Sequence, residues 1–394
     1  MKKRTVLFIN DSLSCGSGVF RSLCQILRSL SHEKFDVTLF IYPGDGDDAA
    51  HLAAAPEGVR VMIGQGDVHP YRLPHIAALY GLSGLAKRLH LAGLSKTLNA
   101  RTRSAVRRQK NKATAKKFFR DQSFDVLIAN TVPNCSEIAH FIGAKKKYAV
   151  FHSSRAEFFP EATKAALERF DGMVAVSEGV GRVLKEAYPA YANKVQTITN
   201  YVDGDEIRKK ASAYEVPPHD GLPSLCTCGR LSREKGFDLA VEAAKLLKDK
   251  GYDFIWYFVG EGPEREKLTE MIREKSLENM LLLIGYQQNP YPYIGACDIY
   301  VQPSYEEAQP LSVMEAQALG RAIVSTRTVG GRTILKDGVC GILTPMTAEG
   351  LAQGIEALLK DPDARAAFAR RFTIADEARN KEEFTAAWDR LLSE

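Results

Sequence analysis

The chain lacks a cysteine framework. Its seven cysteines are scattered over 394 residues, and the closest pair, Cys226 and Cys228, lies two positions apart in one expected strand. No zinc-ligand spacing appears either, which argues against a disulfide-stapled fold and for a reducing compartment. A membrane-spanning run is also missing: the uncharged stretch Leu73–Ala86 is too short to cross a bilayer. The start, Met1-Lys-Lys-Arg-Thr-Val-Leu-Phe-Ile-Asn10-Asp11, sets basic residues before an apolar run, but that run is too short for a signal peptide and meets Asp11 at once. It reads as a buried first strand, and the expectation is a cytoplasmic protein.

Acid is absent from one place. Between Val68 and Arg120 there is no Asp or Glu, yet the segment carries thirteen lysines and arginines against a net charge of +5, so the rest of the chain is net acidic. A solvated helical insertion is one reading of residues 68–120. The other starts from the apolar stretch Leu73–Ala86 ahead of the basic one, a pattern suited to an anionic membrane surface contacted through residues 72–120, at the inner face of the membrane. Nucleic acid is not expected, because aromatics that could stack on bases are absent apart from Phe118 and Phe119.

What is present is the composition of a globular protein, 45% hydrophobic and 26% charged, on a chain longer than one core usually organises. Short apolar runs such as Thr5–Ile9, Asp36–Tyr42, Asp125–Ala129 and Tyr148–Phe151 alternate with helical patterns, and the second half repeats this with Ser224–Cys228, Phe254–Val259, Leu281–Ile284, Ile299–Val301 and Ala322–Ser325. Runs without strict alternation between helices predict parallel sheets covered on both faces, hence an α/β fold of two doubly wound domains. The expected division is 1–205, a linker at 206–223 containing Pro217, Pro218 and Pro223, a second domain at 224–378, and a last helix at 379–394. The stripe Phe384, Ala387, Trp388 and Leu391 on that helix is expected to pack back towards the first domain.

In such sheets ligands bind beyond the carboxyl ends of the strands. Candidates there are Gly16 and Gly18 after the first strand, His152 after Tyr148–Phe151, and Gly229, Arg230 and Lys235 after Ser224–Cys228. Two fixed cations in the last group could neutralise a diphosphate. The run Pro303-Ser-Tyr-Glu-Glu-Ala-Gln-Pro-Leu-Ser-Val-Met-Glu315 places Glu307 in a turn and Glu315 inside a helix starting near Leu311. The Leu311 and Ser312 amides would open that helix as an anion site. Carboxylates around an anion hole suggest a sugar nucleotide. Asp45-Gly-Asp47 has the form of a metal-binding pair but lies far in sequence from the phosphate cations, and no metal is expected.

Together these elements resemble glycosyltransferase family 4, the retaining transferases of GT-B fold. The matching pieces are Gly16-Ser-Gly18, His152, Asn200-Tyr-Val-Asp203, Gly229-Arg230 with Lys235-Gly236, and Glu307 with seven residues before Glu315. Gly260-Glu-Gly262 and Ile284-Gly-Tyr286 resemble the family's strand-end loops near the base. Where members often read Glu-Gly-Phe-Gly-Leu, this chain reads Glu307-Ala308-Gln309-Pro310-Leu311, and Pro310 has no N–H to donate.

The resemblance implies two Rossmann-like domains facing across a cleft. It also implies transfer of a sugar, with retention and no cofactor, from a nucleoside-diphosphate sugar (UDP or GDP) to a glycan, a lipid-linked acceptor or another hydroxyl. Arg230 and Lys235 would hold the diphosphate and Glu315 the ribose, Glu307 would contact the transferred sugar, and His152 would reach it from the opposite domain. A sugar-nucleotide epimerase or hydrolase, or a non-catalytic subunit binding a sugar nucleotide or a membrane, are the alternatives, since one cleft serves several chemistries.

Overall fold

The computed structural model describes residues 2–11, 17–42, 55–64, 92–158, 160–217, 221–335 and 338–394. In chain order the first part runs β1 (Arg4–Asn10), α1 (Gly18–Ser29), β2 (Phe35–Ile41), β3 (Arg60–Ile63), α2 (Ala92–Phe119), β4 (Ser123–Ala129), α3 (Asn134–Ala139), β5 (Gly143–Phe151), α4 (Pro160–Arg169), β6 (Gly172–Ala175), α5 (Glu178–Ala187), β7 (Val195–Thr197) and α6 (Gly204–Ala211). The second runs β8 (Ser224–Cys228), α7 (Phe237–Asp249), β9 (Ile255–Val259), α8 (Arg265–Glu274), β10 (Leu281–Gly285), α9 (Tyr291–Ala296), β11 (Ile299–Gln302), α10 (Leu311–Ala318), β12 (Ala322–Thr326), α11 (Val329–Leu335), β13 (Ile342–Thr344), α12 (Ala348–Lys360), α13 (Pro362–Ala369) and α14 (Ile374–Ser393).

Two parallel sheets result, ordered β3-β2-β1-β4-β5-β6-β7 and β10-β9-β8-β11-β12-β13. Val6 to Ile9 in β1 and Trp256 to Val259 in β9 are buried along their whole length, as strands covered by helices on both faces must be. Strand order reverses between β1 and β4 in the first sheet and between β8 and β11 in the second. Those switch points open crevices at the strands' carboxyl ends.

Helix α14 begins at Ile374, earlier than the expected residue 379, because Thr373 and Asp376 form a reciprocal capping box. Its Phe384, Trp388, Leu391 and Leu392 join the core of the first sheet, with the Trp388 ring 6.2 Å from Phe8 and Phe384 4.8 Å from Tyr201. Residues 206–223, expected as a linker, instead open inside α6. Asp203 caps that helix by accepting the Glu206 N–H, acids occupy its first turn and bases its last, which suits the helix dipole. Ile207 is buried with Val202, Leu311, Met314 and Ala318, and Arg208 binds Glu377 of α14 at 2.9 Å.

Candidate active site

At the second switch point a turn after β8 meets a turn after β11. Arg233–Lys235 forms one 3-10 turn, and Gly236 ends it in the left-handed region at φ +65°. A Cβ at Gly236 would strike the Pro303 carbonyl, so glycine is what lets the two turns touch. The contact brings Lys235 Nζ to 2.7 Å from Glu307 Oε1. The same oxygen accepts from Ser304 Oγ at 2.8 Å and Gln302 Nε2 at 3.1 Å. Gln302 is held in turn, its Oε1 accepting from Tyr300 and Ser312. Glu307 is thus a buried carboxylate of fixed orientation. Arg230, by contrast, is exposed and among the described residues forms no ion pair.

Pro310 precedes α10 without a side-chain cap, and the Val313 and Met314 amides turn back to its carbonyl. The Leu311 and Ser312 amides are left without a partner among the described residues. Unmet amides at a helix start suit an anion. One turn further on, Glu315 is 3% exposed, and its Oε1 lies 2.6 Å from Arg21 NH1 of α1 on the first sheet. Tyr291 donates to that oxygen at 3.3 Å. Burial and Glu315 push the Cys228 thiol up to about 12, against the pull of Arg21 and Lys235.

The loop after β5 also faces the second sheet. Ser154 Oγ donates to Glu306 Oε1 at 2.9 Å and Arg155 pairs with the same carboxylate at 3.2 Å, so the segment carrying His152 sits against the residue before Glu307. Burial lowers the His152 pKa to about 4, opposed by a hydrogen bond to the Asn130 backbone, and Nε2 is buried without a partner among the described residues. The imidazole is therefore neutral at ordinary pH, with Nε2 as an acceptor. Asp11 Oδ1 and Asn130 Oδ1, near the ends of β1 and β4, are likewise buried without partners among those residues. Because unfolded histidine titrates near 6.5, the unfolded chain gains a proton that native His152 refuses as pH falls from about 6.5 to about 4. Urea unfolding should show up to roughly 3 kcal/mol of stability lost over that window through this residue, and His152→Gln should flatten the slope.

Further contacts join the sheets. Ser177 donates to the Ala308 carbonyl at 2.8 Å. Gln309 accepts from the Asn200 N–H at 3.1 Å and donates to the Asn200 carbonyl at 3.2 Å. Ala308 and Gln309 therefore form an inter-sheet tie. Gln309→Ala would strand a buried amide and carbonyl, and a stability loss of about 1–3 kcal/mol in urea unfolding is expected.

The remaining sequence candidates separate. Gly229, Gly260 and Gly285 are linked end to end, Gly229 N–H bonding the Val259 carbonyl and Gly260 N–H the Gly285 carbonyl. At Gly260 and Gly262 a Cβ would collide with the carbonyls of Gly229 and Leu231, so packing of the strand-end loops already requires both glycines. Ile284 is half-buried and Tyr286 is 60% exposed on the same rim. Gly18 starts α1 behind the Ser17 cap, and open space lies where its Cβ would be. Gly16, Asp45, Asp47 and residues 68–91 lie outside the described residues. Sequence reasoning missed Arg21, Tyr291, Gln302 and Ser304; the signal for Arg21 was a cation one helical turn past Gly18.

The basic helix α2 lies on the first sheet. Phe118 and Phe119 point inward, with ring centroids 5.2 and 4.9 Å from Phe40, so neither is a platform for bases. Arg107 and Arg108 border a cavity of about 560 Å³ with His140, Ala165, Arg169 and Phe170. No helix among the described residues is long and apolar enough to cross a membrane.

Comparison with solved structures gives the fold. Anabaena HepE, in complex with UDP and glucose, superposes over 99% of this chain and 98% of its own with a TM-score of 0.69 at 19% identity. The architecture is GT-B. Residues 210–373 match the family glycosyl transferases group 1. Over that segment the chain is similar to the group 1 glycosyl transferases. Arg230, Lys235, Glu307 and Glu315 all fall inside it. The lipopolysaccharide core biosynthesis glycosyltransferase LpsE of Rhizobium meliloti is 26% identical over 249 residues, 63% of this chain and 69% of that one. The N-acetylgalactosamine-N,N'-diacetylbacillosaminyl-diphospho-undecaprenol 4-alpha-N-acetylgalactosaminyltransferase of Campylobacter jejuni is 27% identical over 207 residues, 52% of this chain and 55% of that one. The match to the second relative thus spans little more than half its length.

Proposed function

We propose that the chain is a retaining glycosyltransferase of family 4 that moves a sugar from a nucleoside-diphosphate sugar, of UDP or GDP, to an acceptor hydroxyl in an α-linkage. Residues 1–205 and 224–378 are its two domains, and the site lies in the cleft between their switch points. The observation that carries this reading is the convergence of Lys235 with Glu307, beside the unmet Leu311 and Ser312 amides and the buried Glu315. Arg230, Lys235 and the two amides stabilise the charge of the departing diphosphate, and preorganised donors of that kind are commonly the largest catalytic factor. No metal is needed for that task. Glu315 Oε2, an acceptor without a partner among the described residues, takes a ribose hydroxyl. Glu307 orients the transferred sugar and stabilises positive charge at its anomeric carbon, and His152 Nε2 accepts a sugar hydroxyl from the opposite side. The acceptor oxygen attacks from the face of departure, and a phosphate oxygen takes its proton.

The acceptor is a glycan or a lipid-linked sugar of cell-envelope polysaccharide or glycolipid synthesis, which the names of both relatives support. The enzyme works in the cytoplasm, peripheral to the inner face of the membrane through residues 72–120. Proton NMR of the product tests the reaction: an α-anomeric signal from an α-donor, unchanged in rate by a chelator, is expected. A β-linked product, or activity lost on chelation and restored by manganese, contradicts the mechanism. Free sugar or an epimerised donor as the sole product assigns the cleft to a hydrolase or epimerase.

A further inference from the structure

The pairing of Arg21 with Glu315 is incomplete in a way a permanent bridge would not be. A guanidinium has five N–H donors and commonly grips a carboxylate by two parallel bonds. Here NH1 meets Oε1 at 2.6 Å, while Arg21 Nε and Glu315 Oε2 are both buried without partners among the described residues. Buried polar groups are nearly always satisfied, so a stranded donor beside a stranded acceptor needs an explanation. A ribose hydroxyl donating to Oε2 and a phosphate oxygen accepting from Nε would satisfy both.

The charges point the same way. Lys235 is engaged by Glu307 at 2.7 Å, which leaves Arg230, of the cations already assigned to the phosphates, as the one without an ion pair among the described residues. A nucleoside diphosphate carries more negative charge than one free cation balances. Arg21 and Lys235 both lie close enough to the Cys228 thiol, at the end of β8, to pull against the rise in its pKa. Tyr291, 3.3 Å from Glu315 Oε1, stays to hold the carboxylate once Arg21 leaves.

We propose that Arg21 is a further cation for the donor diphosphate, delivered from the first sheet and parked on Glu315 until the donor's ribose takes that carboxylate. This rests on the assignment of Glu315 to ribose. Donor binding exchanges partners: ribose hydroxyls replace the guanidinium on Glu315, and the guanidinium turns to the phosphate oxygens. No bond is made or broken, and the positive charge moves from the resting pair to the leaving group.

Calorimetric binding of uridine, UDP, guanosine and GDP to the full chain and to Arg21→Ala, Arg21→Gln and Arg21→Lys tests this. In Arg21→Ala and Arg21→Gln the diphosphate that binds wild type should bind about tenfold more weakly, while its nucleoside binds as well or more tightly, since Glu315 has lost a competitor. Arg21→Lys should fall between. Equal weakening of nucleoside and diphosphate would overturn the proposal, because Arg21 would then only hold Glu315 in place. So would no change in either, which would make the pair a tie between the sheets. If wild type binds none of the four, the ribose assignment itself fails and the proposal with it. Arg21→Gln keeps an amide that can donate to Glu315 without the charge, so a melting point near wild type separates loss of binding from loss of folding.

Discussion

Arg230→Ala and Lys235→Ala are each expected to lower turnover at saturating donor by about a hundredfold or more, the loss that follows removal of a single preorganised donor to developing charge. The two variants fail differently. Arg230 is exposed and forms no ion pair among the described residues, so its removal should leave the melting point unchanged. Removing Lys235 leaves the buried Glu307 with Ser304 and Gln302 as its donors and takes away the compensating charge, so some stability should go with activity. Lys235→Arg keeps charge but not shape, and the Lys235 site is a narrow turn closed by Gly236. Partial recovery is the expected result. Steady-state rates with a coupled assay for nucleoside diphosphate release measure all three, and near-full turnover in Arg230→Ala and Lys235→Ala would remove both residues from the mechanism.

Trp388→Ala should cost about 3–5 kcal/mol in equilibrium urea unfolding, as deletion of a large buried aromatic does. Trp388 is 1% exposed, in the core of the first sheet beside Phe8 and Phe384. Its Nε1 has no hydrogen-bond partner among the described residues. Trp388→Phe should therefore cost markedly less, since most of the apolar contact stays and no bond is lost. If the two variants cost the same, the indole N–H has a partner that these contacts do not show.

Periodicity made the sheets legible. Runs such as Thr5–Ile9 and Phe254–Val259 sit between amphipathic helices, and only a parallel sheet buries both faces of such strands. The stripe on the last helix was legible for the same reason. Helix α6 was not, because Pro217, Pro218 and Pro223 marked residues 206–223 as a linker, although Asp203 and the acid-to-base order of residues 205–210 carried a helix signal. Among the site residues, those within a short run could be grouped by spacing: Glu307 with Glu315, Arg230 with Lys235. The pairing of Lys235 with Glu307, and of Arg21 with Glu315 across 294 positions, depends on which strands neighbour the switch points. Spacing along a chain does not encode that. Gln309 was read as a departure from a motif, and its bonds to Asn200 gave it a structural task.

The central claim is that the cleft transfers a sugar from a nucleoside-diphosphate donor to a hydroxyl acceptor. The most direct measurement incubates the full chain, and Lys235→Ala beside it, with a panel of UDP- and GDP-sugars and with glycan and lipid-diphosphate-linked acceptors, and follows nucleoside diphosphate release and acceptor mass together. The account predicts one donor whose diphosphate appears in step with an acceptor gaining one glycosyl unit, both abolished or strongly slowed in Lys235→Ala. Release of diphosphate with no acceptor gaining mass, or transfer undiminished in Lys235→Ala, would contradict it.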